Sequence, residues 1–385
     1  MTMRIAATAG VLATQLGWVA KMLPTRPSIP ILAGIRLDLD TDQVRLTGTD
    51  YEVWTHAVVE ADVQGAGTVV VPGRLLAALL SRLPASRTVV LTIDPDKVAV
   101  ECGPTKCTVR TMPAEDYPNS PTAPAPAGQV EAQLLAVAVD QVAPAASTDD
   151  TLAVLTGVHA VLGKGGIVLS ATDRYRLAQQ IVPWEPTLAA AEQEQDSELL
   201  IPAVTLAQAA RAMTGTVTLA HGTDSGTWVC HLDDGVRSMS VRLLSFDYIP
   251  VESHLAQAAK GAVVDVEVEV ADLDAALGRV SLFAGRNSPI SLTLVDGGLV
   301  VRAGDDGDDG AEEVAADIAG EVGWTFAMNP QMLAQTLTGA RSERVVLHLT
   351  SPTRPVLVTP VRDGDPGRQI LMPVRQPTAS VAAAA

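Results

Sequence analysis

The sequence predicts an α+β fold in which one unit is used three times, each unit holding antiparallel strands covered by two helices. Two observations carry this. Thr172-Asp173-Arg174-Tyr175-Arg176 follows the apolar run Ile167-Val168-Leu169, and Thr49-Asp50-Tyr51-Glu52 follows Val44-Arg45-Leu46, 123 residues earlier. Both follow a Gly-led segment, Gly34-Ile35-Arg36-Leu37 and Gly157-Val158-His159-Ala160. The second observation is a strand-proline-helix pattern at Val70-Val71-Pro72, Leu200-Ile201-Pro202 and Met328-Asn329-Pro330. Proline suits a helix start, where its missing N–H would be unpaired anyway. A period this long describes repeated domains rather than a solenoid.

Composition agrees. The chain has 385 residues, 47% apolar and 18% charged, enough for two or three domains with proper cores. Aromatic residues make up 3%, so cores must come from Val, Leu, Ile and Ala, and platforms of stacked aromatics for single-stranded nucleic acid are not expected. A net charge of -17 argues against gripping nucleic acid by charge alone. Cys102, Cys107 and Cys230 show no paired spacing, which fits reduced thiols in a cytoplasmic protein. A zinc site from these and His231 would lack the usual short ligand spacings, so no metal or other cofactor is expected.

In chain order, Val11, Leu12, Leu16, Val19 and Leu23 recur at helical spacing, so residues 1–23 read as one amphipathic helix rather than a signal peptide. No apolar run is long enough to span a membrane. Alternating segments from Ile29 to Val71 read as strands. A helix after Pro72 carries the stripe Leu75, Leu76, Leu79, Leu80 and Leu83, and strands follow at Val89–Ile93, Val98–Val100 and Thr108–Arg110. Prolines 118, 121, 124 and 126 mark a stiff linker. The second unit reads as a helix from Val130 to Val142, strands at 157–162 and 167–171, an acidic loop from Glu192 to Glu198, the Pro202 helix and two further strands. The third reads as a strand through Val264, Val266, Val268 and Val270, a helix through Leu273, Leu277 and Val280, and a hairpin from Ile290 to Val301 turning at Asp296-Gly297-Gly298. The domains are thus 1–126, 127–258 and 259–385.

Three motifs that suggest chemistry do not hold up. Asp305–Gly310 lacks the ligand spacing of an EF-hand and reads as a solvated loop tip. His221-Gly222-Thr223-Asp224-Ser225-Gly226 has no placeable oxyanion loop or triad partner. Leu162-Gly163-Lys164-Gly165-Gly166 lacks the ending of a P-loop. No enzymatic site is expected.

Arg26-Pro27-Ser28-Ile29-Pro30-Ile31-Leu32, Leu46-Thr47-Gly48-Thr49-Asp50, Thr111-Met112-Pro113-Ala114-Glu115-Asp116-Tyr117-Pro118, Ala171–Ala178 and Met372-Pro373-Val374-Arg375 lie in order over nearly the whole chain. Together with the threefold repeat they resemble the bacterial DNA sliding clamp, the beta subunit of DNA polymerase III, in the form found in high-GC Gram-positive bacteria. The resemblance implies three clamp domains with sheets outside and two helices per domain inside, closing as a pseudo-sixfold, head-to-tail homodimer around duplex DNA. It implies a processivity factor, not an enzyme, that tethers the clamp loader, DNA polymerases and repair proteins through short linear motifs. A clamp paralogue specialised in its partners is the alternative.

By the same resemblance, Arg26 and Arg74 occupy positions like family DNA contacts, and Arg211 is a third candidate near the helices. Each also reads as an ordinary solvated arginine. Thr148-Asp149-Asp150 is acidic where some relatives touch DNA with neutral or basic groups. The implied partner pocket lies between the second and third domains and takes in Leu155, Thr172, Arg174, Tyr175, Arg176, Leu177, Pro250, Val251, Asn329, Met332, Thr353, Pro355, Ile370, Met372, Pro373, Val374 and Arg375. Methionine suits a pocket that repacks around different ligands. Without the resemblance, Leu155, Leu177 and Ile370 would read as plain core. Ser245–Glu252 departs from the family pattern: Pro250 stands where a rim arginine is frequent, and Glu252 is expected to repel acidic peptides. The uncharged tail Gln376–Ala385 is expected to compete with ligands. Consensus peptides should therefore bind more weakly than to an ordinary clamp.

Overall fold

Each repeat opens with a strand that passes into a helix without a loop. In the computed structural model, which describes residues 2–192, 195–245, 248–285, 288–305, 307–362 and 367–374, Met3–Thr8 (β1) runs straight into Ala9–Met22 (α1). Residues 1–23 are therefore not one helix. Ile5 and Ala7 are buried in alternation before Leu12, Leu16 and Val19 take up the helical period, while Val11 faces solvent.

The first repeat continues through Gly34–Leu39 (β2), Gln43–Thr49 (β3), Val53–Glu60 (β4), Asp62–Gln64 (β5) and Gly67–Pro72 (β6). It closes with Gly73–Leu80 (α2), Thr88–Ile93 (β7), Lys97–Cys102 (β8) and Thr105–Arg110 (β9). In α2 Leu76 and Leu80 are buried, but Leu75 is exposed, so the stripe is narrower than the spacing predicts.

The second repeat opens with Pro126–Glu131 (β10) and Ala132–Val142 (α3). Val130 thus belongs to a strand, not to the helix. Gly157–Gly163 (β11), Gly166–Thr172 (β12), Arg176–Val182 (β13), Glu185–Pro186 (β14), Leu188–Ala191 (α4), Ser197–Pro202 (β15) and Ala203–Ala212 (α5) follow. Glu198 lies in β15 rather than in a loop, because Leu199, Leu200 and Ile201 beside it are buried. Three strands rather than two come next, Thr216–Asp224 (β16), Thr227–Asp233 (β17) and Arg237–Arg242 (β18), and then an unexpected helix, Val251–Lys260 (α6).

The third repeat comprises Val264–Glu269 (β19), Val270–Val280 (α7), Ile290–Val295 (β20), Gly298–Asp305 (β21) and Asp308–Ala319 (β22). Thr325–Met328 (β23), Pro330–Ala340 (α8), Arg344–Leu349 (β24), Val356–Pro360 (β25) and Arg368–Leu371 (β26) complete it. The β20–β21 hairpin turns where predicted, with Gly297 at φ 78°.

The chain divides into two compact units. The first, Met1–Ala136, Trp184–Gln195 and Val204–Leu243, contains a five-stranded sheet, β5-β1-β7-β8-β9, and a nine-stranded one, β14-β10-β16-β17-β18-β4-β3-β2-β6. The second, Val137–Pro183, Asp196–Ala203 and Leu244–Ala385, contains a twelve-stranded sheet, β15-β11-β12-β13-β26-β25-β24-β19-β22-β21-β20-β23. Within each unit successive repeats join by one antiparallel pair: β4 with β18, from Val53↔Val241 to Ala57↔Arg237, and β13 with β26, from Arg176↔Leu371 to Gln179↔Arg368.

The repeat is visible in single residues. Gly34 pairs with Pro72 and Gly157 with Pro202. A Cβ on Gly34 would stand 2.5 Å from Val70 Cγ1 and 2.9 Å from the Ile31 carbonyl oxygen, and one on Gly157 2.6 Å from Leu200 Cδ1, so a side chain at either position would force its neighbours to shift. In the first unit Tyr117 is buried, its hydroxyl 2.9 Å from the Thr47 carbonyl and 3.2 Å from that of Gly34, which explains the Asp-Tyr-Pro motif. In the second, Val264, Val266 and Val268 point inward against Leu273, Leu277 and Val280 of α7. Each such side chain contributes roughly 1.5–3 kcal/mol on burial.

Candidate functional site

The turn between β12 and β13 is built by side chains that hold backbone amides. Asp173 Oδ1 accepts from the N–H groups of Tyr175 and Arg176, both at 2.9 Å, while Thr172 Oγ1 accepts from Arg174 N at 3.1 Å and donates to Arg176 O at 2.7 Å. Asp and Thr compete well for backbone groups in this way at turns. The twin at β3–β4 repeats it: Asp50 Oδ1 accepts from Glu52 N and Val53 N, and Thr49 Oγ1 from Tyr51 N. In both, the next residue is forced left-handed, Arg174 at φ 78° and Tyr51 at φ 77°. This conformation is costly for any residue with a Cβ.

The turn puts Arg174 and Tyr175 at the mouth of a cleft of about 560 Å³. Its floor is the β13–β26 pair, where Leu177 faces Ile370, and Met372 N extends the pairing to Tyr175 O at 2.8 Å. One wall is α6. Val251, Leu255 and Ala258 of that helix are buried with Leu177, Leu357 and Ile370, and Tyr248 packs against them. The Tyr248 ring stacks on His159 at 4.7 Å between centroids, and burial pushes its phenol up to about 12. Arg176 donates through Nε to Asp173 Oδ2 at 3.0 Å and through Nη1 to Gln335.

Of the pocket residues implied by the sequence, Thr172, Arg174, Tyr175, Arg176, Leu177, Pro355, Ile370 and Met372 line this cleft together. Val251 lies beneath the wall. Pro250 is exposed at the start of α6, where its carbonyl accepts from Ser253 Oγ at 2.7 Å. Leu155 is buried in the short 3-10 segment Asp150–Thr156. Asn329 caps α8, accepting from Gln331 N and Met332 N, and lines a different cleft with Asp274 and Gly278. Met332 packs on the third repeat's core. Thr353 and Val374 are exposed and Pro373 is half-buried, none of them in the cleft lining. Arg375 and the tail 376–385 lie outside the described residues.

Sequence reasoning missed Ile249, His254, Gln257, Ala258, Gly261, Thr350 and Arg354, all of which line the cleft. The signal for α6 was present: Val251, Leu255 and Ala258 stand at helical spacing, with Glu252 in the first turn and Lys260 in the last. Glu252 has a cationic neighbour. Its carboxylate is 3.4 Å from Arg368 Nη2 and it does not line the cleft, so it is already partnered.

Arg26 is exposed before β2. Arg74, in the first turn of α2, donates to the Leu23 carbonyl, and Arg211 is exposed in the last turn of α5. Asp149 serves locally, its Oδ1 accepting from Thr151 N at 3.0 Å and Thr151 Oγ1 at 2.7 Å, bonds that hold its carboxyl below the usual range. Asp224-Ser225-Gly226 forms the tight β16–β17 turn, with Ser225 at φ 49° and Gly226 at φ 83°. Cys230 is fully buried, which pushes its thiol up to about 12. Among the described residues no cluster of His, Cys, Asp and Glu fits a metal ion, and no helix is long and apolar enough to cross a membrane.

Comparison with known proteins matches residues 1–121, 129–241 and 260–375 to the N-terminal, central and C-terminal domains of the DNA polymerase III beta subunit. The chain is 35% identical over 382 residues to the beta sliding clamp of Streptomyces coelicolor and 36% identical over 382 residues to the beta sliding clamp homolog GriR of Streptomyces muensis. Each alignment covers 97% of this chain and 99% of the relative. The crystal structure of the Bacillus subtilis DNA polymerase sliding clamp agrees in fold, with a TM-score of 0.87 at 21% identity over 98% of this chain and 100% of that one. With all three domains matched in order along nearly its full length, the chain belongs to the family of bacterial DNA polymerase III beta subunits, the beta sliding clamps.

Proposed function

We propose that this chain is a DNA sliding clamp that closes as a head-to-tail homodimer around duplex DNA and tethers its partners through the α6 cleft. The observation that supports this most is a strand left over. β18 and β26 occupy one place in their repeats and each pairs with the strand that follows the Thr-Asp turn of the repeat before. β9 holds that place in the first repeat, and among the described residues it pairs along its length only with β8. In the third repeat β22 takes the place of β4 and β13, and it pairs with β19 only from Ala316 onward. A second copy set head to tail would join β9 to the free half of β22 and complete the series.

In this reading the domains are 1–126, 127–258 and 259–385. Arg26, Arg74 and Arg211 make weak, sliding contacts with DNA, and the clamp loader and polymerases bind the cleft by short linear motifs. The protein catalyses nothing itself and works in the bacterial cytoplasm. A net charge of -17 is compatible with holding DNA by topology rather than by ion pairing. Primer extension with a bacterial clamp loader and polymerase tests this: the protein should lengthen the products, and product lengths unchanged by its addition would overturn the reading.

A further inference from the structure

We infer that the cleft selects peptides that carry acidic residues beside their apolar anchors, reading them with Arg174 and Arg354. This rests on the proposed role of the cleft as a partner site. The chain contains 44 Asp and Glu against 27 Lys and Arg, yet among the described residues no carboxylate lines the cleft, whereas Arg174, Arg176, Arg354 and His254 do. Arg176 is engaged by Asp173 and Gln335. Arg174 and Arg354 are exposed; Arg174 feels the Asp149 carboxylate only at a distance, and among the described residues neither side chain makes a direct hydrogen bond or ion pair.

Two further features point the same way. Glu252, the nearest acidic residue on α6, is turned to Arg368. The turn that gives Arg174 φ 78°, as its twin gives Tyr51 φ 77°, sets the Arg174 side chain on the cleft lining. The apolar floor of Leu177, Ile370 and Met372 takes the anchors, and the two guanidinium groups meet the ligand's carboxylates in partly desolvated surroundings, favouring acidic over neutral partners.

The test uses the full-length protein and two synthetic peptides that share a leucine and a phenylalanine anchor, one flanked by Asp and Glu, the other by Asn and Gln, titrated by calorimetry. The acidic peptide should bind roughly three- to tenfold tighter at low salt, an advantage that shrinks as added salt screens it. The double variant Arg174→Gly/Arg354→Ser should bring that ratio close to one. Glycine accepts the left-handed backbone, and the exposed Arg354 takes part through its backbone N–H in a bond to Ser351 that serine retains, so both substitutions are compatible with the fold. Equal affinity of the two peptides for the native protein, or a ratio unchanged in the variant, would overturn the inference while leaving the cleft a partner site. Absence of binding by either peptide would overturn the partner site and the inference together.

Discussion

Asp173 and Arg176 form a half-buried ion pair, with Nε 3.0 Å from Oδ2, while the other oxygen of the same carboxylate holds two backbone amides of the turn between them. One side chain thus fixes both the backbone that presents Arg174 and the guanidinium behind it. Asp50 holds the twin turn with amide bonds alone. Asp173→Ala should cost about 3 kcal/mol, because it frees two amides and removes a partner from a partly desolvated arginine. Asp50→Ala should cost about 1 kcal/mol. Urea unfolding of the two variants compares them directly, and equal losses would show that the ion pair adds nothing.

The Glu252–Arg368 contact makes a prediction opposite to the one drawn from sequence. Glu252→Gln should change the affinity of an acidic peptide by less than about twofold, since its exposed carboxylate is paired with Arg368 and is not among the cleft-lining groups. A large gain in calorimetry would mean that this anion does repel ligands.

His56 ties stability to pH. Burial, with Arg45 and His231 beside it, lowers its imidazole from 6.5 to about 4, while Asp38 and Asp233 pull weakly the other way, and its Nδ1 lies 3.0 Å from Thr47 Oγ1. The unfolded chain binds the proton more readily, so this contribution is complete above pH 6.5 and is lost as pH falls toward 4. The loss reaches at most about 3 kcal/mol. His56→Gln should flatten the slope of the urea midpoint across that window relative to the native protein; an unaltered slope would contradict the assignment.

Much of this architecture was legible because the repeat wrote it more than once. The Thr-Asp turns, the Gly34 and Gly157 close approaches and the strand-proline-helix starts each had a twin to confirm them. A further copy of the turn, Asp234 Oδ1 holding Val236 N and Arg237 N, went unseen because Gly235 replaces the bulky left-handed residue. β1 and β10 were absorbed into the helices after them: each passes into its helix with no loop, and Ala and Val satisfy both periods. β19 escaped that fate because Asp and Glu alternate strictly with its valines. In the cleft, the turn and the last strand were readable, but the α6 wall was not, since among the described residues it has no counterpart in the other repeats and its apolar face becomes meaningful only against Leu357 and Ile370.

The central claim is that DNA is held by enclosure rather than by affinity. Labelled protein loaded onto nicked circular duplex by a bacterial clamp loader, then passed through a sizing column at about 0.5 M salt, where ion pairs beyond a few ångströms are screened, measures this directly. The account predicts that the protein stays with the circle and leaves once a restriction enzyme makes the circle linear. Dissociation from the intact circle at that salt, or retention on the linear product without blocked ends, would contradict it.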